Sequence, residues 1–199
     1  MEPIETVRKQ VEDSANVKQA LLADADTLEK IARAGEICIE AYKNGNKVMF
    51  AGNGGSAADA QHFAGELVSR FYFDRPGLPS IALTTDTSIL TAIGNDYGFD
   101  RLFARQVEAQ GKEGDVFVGI STSGNSANIV EAMKVCRKMG IATIGLTGLK
   151  PCRMDEFSDI IIKVPSTETP RIQECQTLIG HILCCIIEDG MFSRFKPQI

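Results

Sequence analysis

"KVMFAGNGGSAADAQHFAGELVSRF", residues 47–71, passes from a short apolar run through a turn of small residues into a helical pattern. The run at 47–52 is too short for a helix and closes on glycine, which reads as a buried strand. Asn53, Gly54 and Gly55 form a turn where backbone can approach a ligand closely. Ser56 and Asp59 fit an S-x-x-D capping box, so the helix is expected to start there and run over 57–70. Strand, ligand-type turn and helix in that order are the beginning of a parallel α/β unit.

The same alternation extends along the chain. Runs at 80–83, 115–120, 141–148 and 159–165 also read as strands, and 88–93, 102–110, 128–139 and 171–192 as helices. The prediction is a single α/β domain over 1–199: a mostly parallel five-stranded sheet flanked by helices, three layers in all. Residues 4–44 carry one or two amphipathic helices ended by Gly45, giving an N-terminal helical segment over 1–45. Thr169 and Pro170 supply the N-cap and first helical position of the last helix.

Composition narrows the function. A net charge of −5 argues against general nucleic-acid binding and leaves room for a phosphorylated small molecule held by backbone amides. The N-terminal residues are polar and no apolar run looks long enough to span a membrane, so a cytoplasmic protein is expected. The six cysteines form no C-x-x-C pair and mostly sit in apolar segments, as reduced core residues do.

A second turn of ligand type follows the strand at 115–120. In "GISTSGNSAN", Ser121, Thr122, Ser123 and Ser126 surround Gly124, and a helix begins at once. Many short donors plus a helix N-terminus suit a phosphate monoester. The lysine and spacing of a Walker A loop are absent. Two such turns in one domain point to one site built from both.

His62 and Glu66 fall at i and i+4, one face of the helix. Such a pair can bind one metal ion or work as acid and base, although an isolated H-x-x-x-E is more often a solvated surface pair. Gly65 between them costs helix stability, which implies close packing there, and Arg70 one turn on either assists an anion or caps the helix. The chain's other histidine, His181, lies eight residues after Gln173 on one side of the mostly apolar last helix. Asn95 and Asp96, in "TAIGNDYGFD", read as a loop.

Together, "AGNGGSAADAQHFAGEL", "TAIGNDYGF", "EGDVFVGISTSGNSANI" and "RIQE…GHIL" resemble the phosphoheptose isomerases of the sugar-isomerase (SIS) domain family, in order and through nearly the whole chain. The resemblance implies conversion of sedoheptulose 7-phosphate to D-glycero-D-manno-heptose 7-phosphate, a step in bacterial ADP-heptose and GDP-heptose precursor synthesis. It implies that Ser121, Thr122, Ser123 and Ser126 hold the phosphate and that Asn53, Gly54, Gly55, Asn95 and Asp96 contact the sugar, with Glu66 and Gln173 also at the substrate. His62, Glu66, Gln173 and His181 correspond to its zinc-ligand set, Glu66 and His181 also to its acid/base pair. It further implies a homotetramer with active sites at subunit interfaces, built partly by the N-terminal helices. The same scaffold serves a non-enzymatic branch that binds the bacterial replication initiator, and sugar-phosphate sensors. The presence of His62, Glu66 and His181 favours the enzyme.

Overall fold

The computed structural model describes residues 2–196. In chain order its main elements are α1 (Pro3–Ala23), α2 (Ala25–Lys43), β1 (Val48–Gly52), α3 (Gly55–Val68), β2 (Ser80–Ala82), α4 (Thr87–Tyr97), α5 (Leu102–Gln110), β3 (Val116–Ile120), α6 (Ala127–Lys138), β4 (Ala142–Gly148), β5 (Ile160–Val164) and α7 (Thr169–Phe192). The strands form one sheet in the order β2-β1-β3-β4-β5, and every pairing is parallel.

Alternation along the strands divides the core in two. Val48, Phe50, Val116, Val118, Ile120, Ile144 and Leu146 face α2, α3 and α7. Met49, Ala51 and Phe117 face the opposite way, toward α5 and α6. Both faces are covered, as a parallel sheet requires. A close helix contact lies on the first face. Gly180 of α7 has the Phe63 ring of α3 directly against its Cα, where no side chain would fit.

Helix ends follow local chemistry. Asp24 breaks α1 from α2 and caps the latter, its carboxylate accepting from the Thr27 amide at 3.2 Å and hydroxyl at 2.7 Å. Gly45, at φ +73°, closes α2 in a Schellman arrangement: its amide donates to Tyr42 and that of Asn46 to Ala41.

Several expectations need correction. Helix α3 starts at Gly55, after Gly54 at φ 57° and ψ −122°, and the Ser56–Asp59 capping box does not form. Ser56 is buried and Asp59 turns to α7 instead. Helix α4 runs through Gly94 to Tyr97, so Asn95 and Asp96 lie in its last turn and not in a loop; Gly98 at φ +84° stops it. Glu168 is the N-cap of α7, which moves Thr169 and Pro170 one position inward. Nothing crowds Gly65: a methyl group there would meet no atom within 4 Å. Finally, 169–195 does meet the length and mean hydropathy of a membrane span. Half of its most apolar 18 residues are buried, packed on α2, α3 and the sheet, and the helix carries Gln173, His181 and Glu188, as a core helix does.

One buried ion pair joins the end of α3 to α7. Arg75 Nε donates to Glu188 Oε1 at 3.0 Å, with both side chains at 0–1% exposure. The guanidinium also donates to the carbonyls of Glu66, Leu67, Ser69 and Pro76, several of them orphans of the α3 C-terminus. Glu188 in turn accepts from the amides of Phe71 and Tyr72 at 2.8 and 2.7 Å. Every partner is satisfied, so removing one side leaves a charge stranded. Glu188→Leu is expected to cost about 3–5 kcal/mol, read as a lowered urea midpoint at unchanged m-value.

Candidate active site

Strand register builds the site. Gly52 and Ile120 are paired partners at the ends of β1 and β3, so the chain leaves both strands at one level. From β1 the connection runs to one side of the sheet, and from β3 to the other. This is a topological switch point, where an open α/β sheet has its natural crevice. The two ligand-type turns therefore lie side by side. Asn53 and Asn128 tie them together by reciprocal amide hydrogen bonds of 3.0 and 2.9 Å.

The serine loop is pre-folded. Ser121 is buried, its Oγ 2.9 Å from Ser126 Oγ and accepting from the Gly124 amide at 3.2 Å. Ser123 Oγ accepts from the Asn125 amide at 3.1 Å. Gly124 has φ +64°, and a Cβ there would collide with Cys152 and the Thr147 hydroxyl. Ser126 is the N-cap residue of α6 but spends no side-chain bond on that helix; its hydroxyl pairs with Ser121, and the Ala127 and Asn128 amides are left for a ligand. Thr122, Ser123 and Asn125 form one wall of a cleft of about 210 Å³, with Lys150 and Thr169 opposite.

Helices α3 and α7 bring the remaining residues together. His62 Nε2 and His181 Nε2 face each other at 2.7 Å, their rings 67° apart. Glu66 Oε1 lies 3.6 Å from His62 Nε2, and its side chain is 25% exposed. The Phe71 ring packs 5.6 Å from the His181 ring, centroid to centroid. Gln173 lies two turns before His181, with its amide against Gly55. The two histidines and Glu66 thus come together, with Gln173 and Gly55 at the N-terminal ends of the same two helices. Asn95 and Asp96 stand apart on exposed α4, where Asn95 Nδ2 donates to Asp96 Oδ1 at 2.7 Å.

Sequence reasoning missed three contributors. Asp59 accepts from the Thr177 hydroxyl at 2.8 Å, one turn before each histidine. Burial raises the Asp59 carboxyl above its ordinary range, partly opposed by the Thr177 hydrogen bond and the two nearby imidazoles. The 3.6-residue spacing back from His62 and His181 carried that signal. Arg75 and Glu188, which fix the chain around Glu66 and Phe71, had no signal short of three dimensions.

The donor types suit zinc: two imidazole nitrogens aimed at one point and a carboxylate beside them. Their spacing here is that of a hydrogen bond, since two nitrogens on one tetrahedral zinc lie about 3.3 Å apart. Accordingly, no three His, Cys, Asp or Glu side chains among the described residues are already arranged around an ion. The cysteines offer no alternative centre. Burial pushes the thiols of Cys38, Cys136 and Cys184 up to about 12, which keeps them protonated.

Comparison with known proteins identifies the relatives of the chain. The SIS domain family matches residues 12–148. Phosphoheptose isomerase 2 of Campylobacter jejuni is 63% identical over 92% of this chain and 90% of its own length. The phosphoheptose isomerase of Aneurinibacillus thermoaerophilus is 60% identical over 94% of both chains. The solved phosphoheptose isomerase of Neisseria gonorrhoeae superposes with a TM-score of 0.89 at 42% identity, over 94% of this chain and all of that one.

Gly55 gives a local test. A methyl group there would lie 2.6 Å from Gln173 Nε2, the mobile end of a side chain. Gly55→Ala is expected to displace the Gln173 amide while moving the melting temperature by no more than a few degrees. Amide ¹⁵N shifts of Gln173 together with thermal unfolding check this.

Proposed function

This chain belongs to the SIS domain family and, within it, to the phosphoheptose isomerases, and on that footing we propose how its residues convert sedoheptulose 7-phosphate to D-glycero-D-manno-heptose 7-phosphate. The reaction is an aldose–ketose isomerisation in the heptose pathway. A proton leaves C1 of the ketose, an enediol(ate) forms, and a proton is delivered to C2.

Glu66 is the base that takes the C1 proton, and His181 the acid that protonates C2. The observation that carries this reading is the meeting of His62, Glu66 and His181 where α3 packs on α7. The two Nε2 atoms can share a proton only where zinc does not hold them, so a relay to His181 through His62 and zinc ligation are alternative uses of the pair. Side-chain exposure of His62 at 45% opens that route to solvent.

Ser121, Thr122, Ser123 and Ser126 take the 7-phosphate, with the α6 N-terminus stabilising its charge. Asn53, Gly54, Gly55 and Gln173 line the sugar. Asn95 and Asp96 reach a sugar hydroxyl from α4, which requires that helix to close or a second copy of the chain to supply it. His62, Glu66, Gln173 and His181 are the side chains that would hold zinc, and the ion's chemistry when bound is Lewis acidity toward the sugar oxygens.

The protein acts as a cytoplasmic homotetramer with active sites at subunit interfaces, in the supply of heptose for lipopolysaccharide, capsule or another glycoconjugate. Support for assembly comes from exposed apolar residues at helical spacing on α1, Ile4, Val7 and Val11, and from Tyr97 and Phe99 beside Asn95 and Asp96.

Turnover in D₂O followed by proton NMR tests the chemistry. The wild type is expected to form aldoheptose 7-phosphate with deuterium at C2. Glu66→Gln is expected to lose that signal by at least a hundredfold while retaining the sugar phosphate, and a non-enzymatic sensor would show binding without turnover in either protein. Ser126→Ala is expected to raise KM about tenfold, the worth of one charge-assisted hydrogen bond, with little change in kcat.

A further inference from the structure

Three contacts recur, one turn apart, along the parallel faces of α3 and α7. Gln173 packs on Gly55, Thr177 bonds Asp59, and His181 faces His62. The outer two belong to the site already described. The middle one has been given no role in the reaction. Among the described residues, the Asp59–Thr177 and His62–His181 bonds are the only side-chain hydrogen bonds between these two helices.

We propose that Asp59 and Thr177 are positioning residues for the isomerisation: their hydrogen bond sets the axial register of α3 against α7, and with it the approach of His62 to His181. The proposal rests on the acid–base reading given above. Phe63 pressed on Gly180 fixes how close the helices come, but a flat ring on a bare Cα resists sliding weakly. A directional bond from a hydroxyl to a carboxylate supplies what that contact lacks. The hydroxyl has a choice of acceptor, because the Gln173 carbonyl of its own helix lies 3.1 Å away. With Asp59 in place the 2.8 Å bond across the helices is the better one. Without it, Thr177 turns back onto α7 and the register is released. A shift well under 1 Å at the imidazoles suffices to cost activity, since a misplacement of about 1 Å is worth up to about a hundredfold in rate.

The chain has two histidines, so one His62→Gln sample assigns its imidazole spectrum. Thr177→Val, Asp59→Ala and the double variant are compared with Thr177→Ser, which keeps the hydroxyl. Expected are displaced imidazole ¹⁵N shifts for both histidines, a kcat lowered about tenfold, and KM within about twofold in each of the three. The double variant is expected to be no worse than either single one, and Thr177→Ser to restore shifts and kcat. Unmoved imidazole shifts in Thr177→Val and Asp59→Ala would overturn the proposal. So would strictly additive effects, or a Thr177→Ser variant as impaired as Thr177→Val. If the shifts move and recover as expected but Glu66→Gln retains wild-type turnover, the acid–base assignment fails and the positioning bond stands.

Discussion

The contact of Phe63 with Gly180 is the constraint on which the site depends. An aromatic ring seated on a bare Cα lets α3 and α7 approach more closely than any side chain at position 180 would allow. That approach puts His62 within hydrogen-bonding distance of His181, although the two are 119 residues apart in sequence. The core on this face of the sheet and the reactive groups at its rim are thus set by the same packing. A methyl group at position 180 would push the Phe63 ring and cost alignment and stability together.

The two halves of the site have different characters. The serine loop is anchored in the sheet, its first amide bonded to the Leu146 carbonyl and its glycine held over Thr147 and Cys152. It presents a fixed anion cradle. The histidines and Glu66 instead stand on helix surfaces, half open to solvent, and their spacing follows from how two helices lie together. Binding energy from the phosphate end can be spent at the reacting carbons only if the two halves are coupled. The Asn53–Asn128 amide pair is the direct link between them.

Strands were legible in the sequence because buried parallel strands are short apolar runs bounded by glycine and polar turns, and all five lie within a residue or so of where those patterns put them. The serine loop and the His62/Glu66 pair were legible for the same local reason. What misled was local chemistry overridden by distant partners. Asp59 had every local reason to cap its own helix and instead serves Thr177. Glycine was an unreliable guide: Gly94 does not end α4, and a side chain at Gly65 would meet nothing in the chain, while Gly55 makes room for the Gln173 amide and Gly180 is required by Phe63. The meeting of His62 with His181 was not in the periodicity at all. Helical spacing placed each on a face, and the family resemblance paired them.

The Arg75–Glu188 pair also has a temporal side. Arg75 sits in the segment that closes α3, and its carboxylate partner lies 113 residues further along, in the last long helix. A growing chain can therefore complete the sheet and the anion cradle while this guanidinium has no counter-charge and Phe63 has no helix to cover it. His62 and Glu66 meet His181 only when α7 docks, in a step that neutralises a buried charge and seals the apolar face together. A translation product cut short before α7 would keep the serine loop yet remain a sticky, unfinished body, lacking His181 and suited to capture by chaperones or proteases.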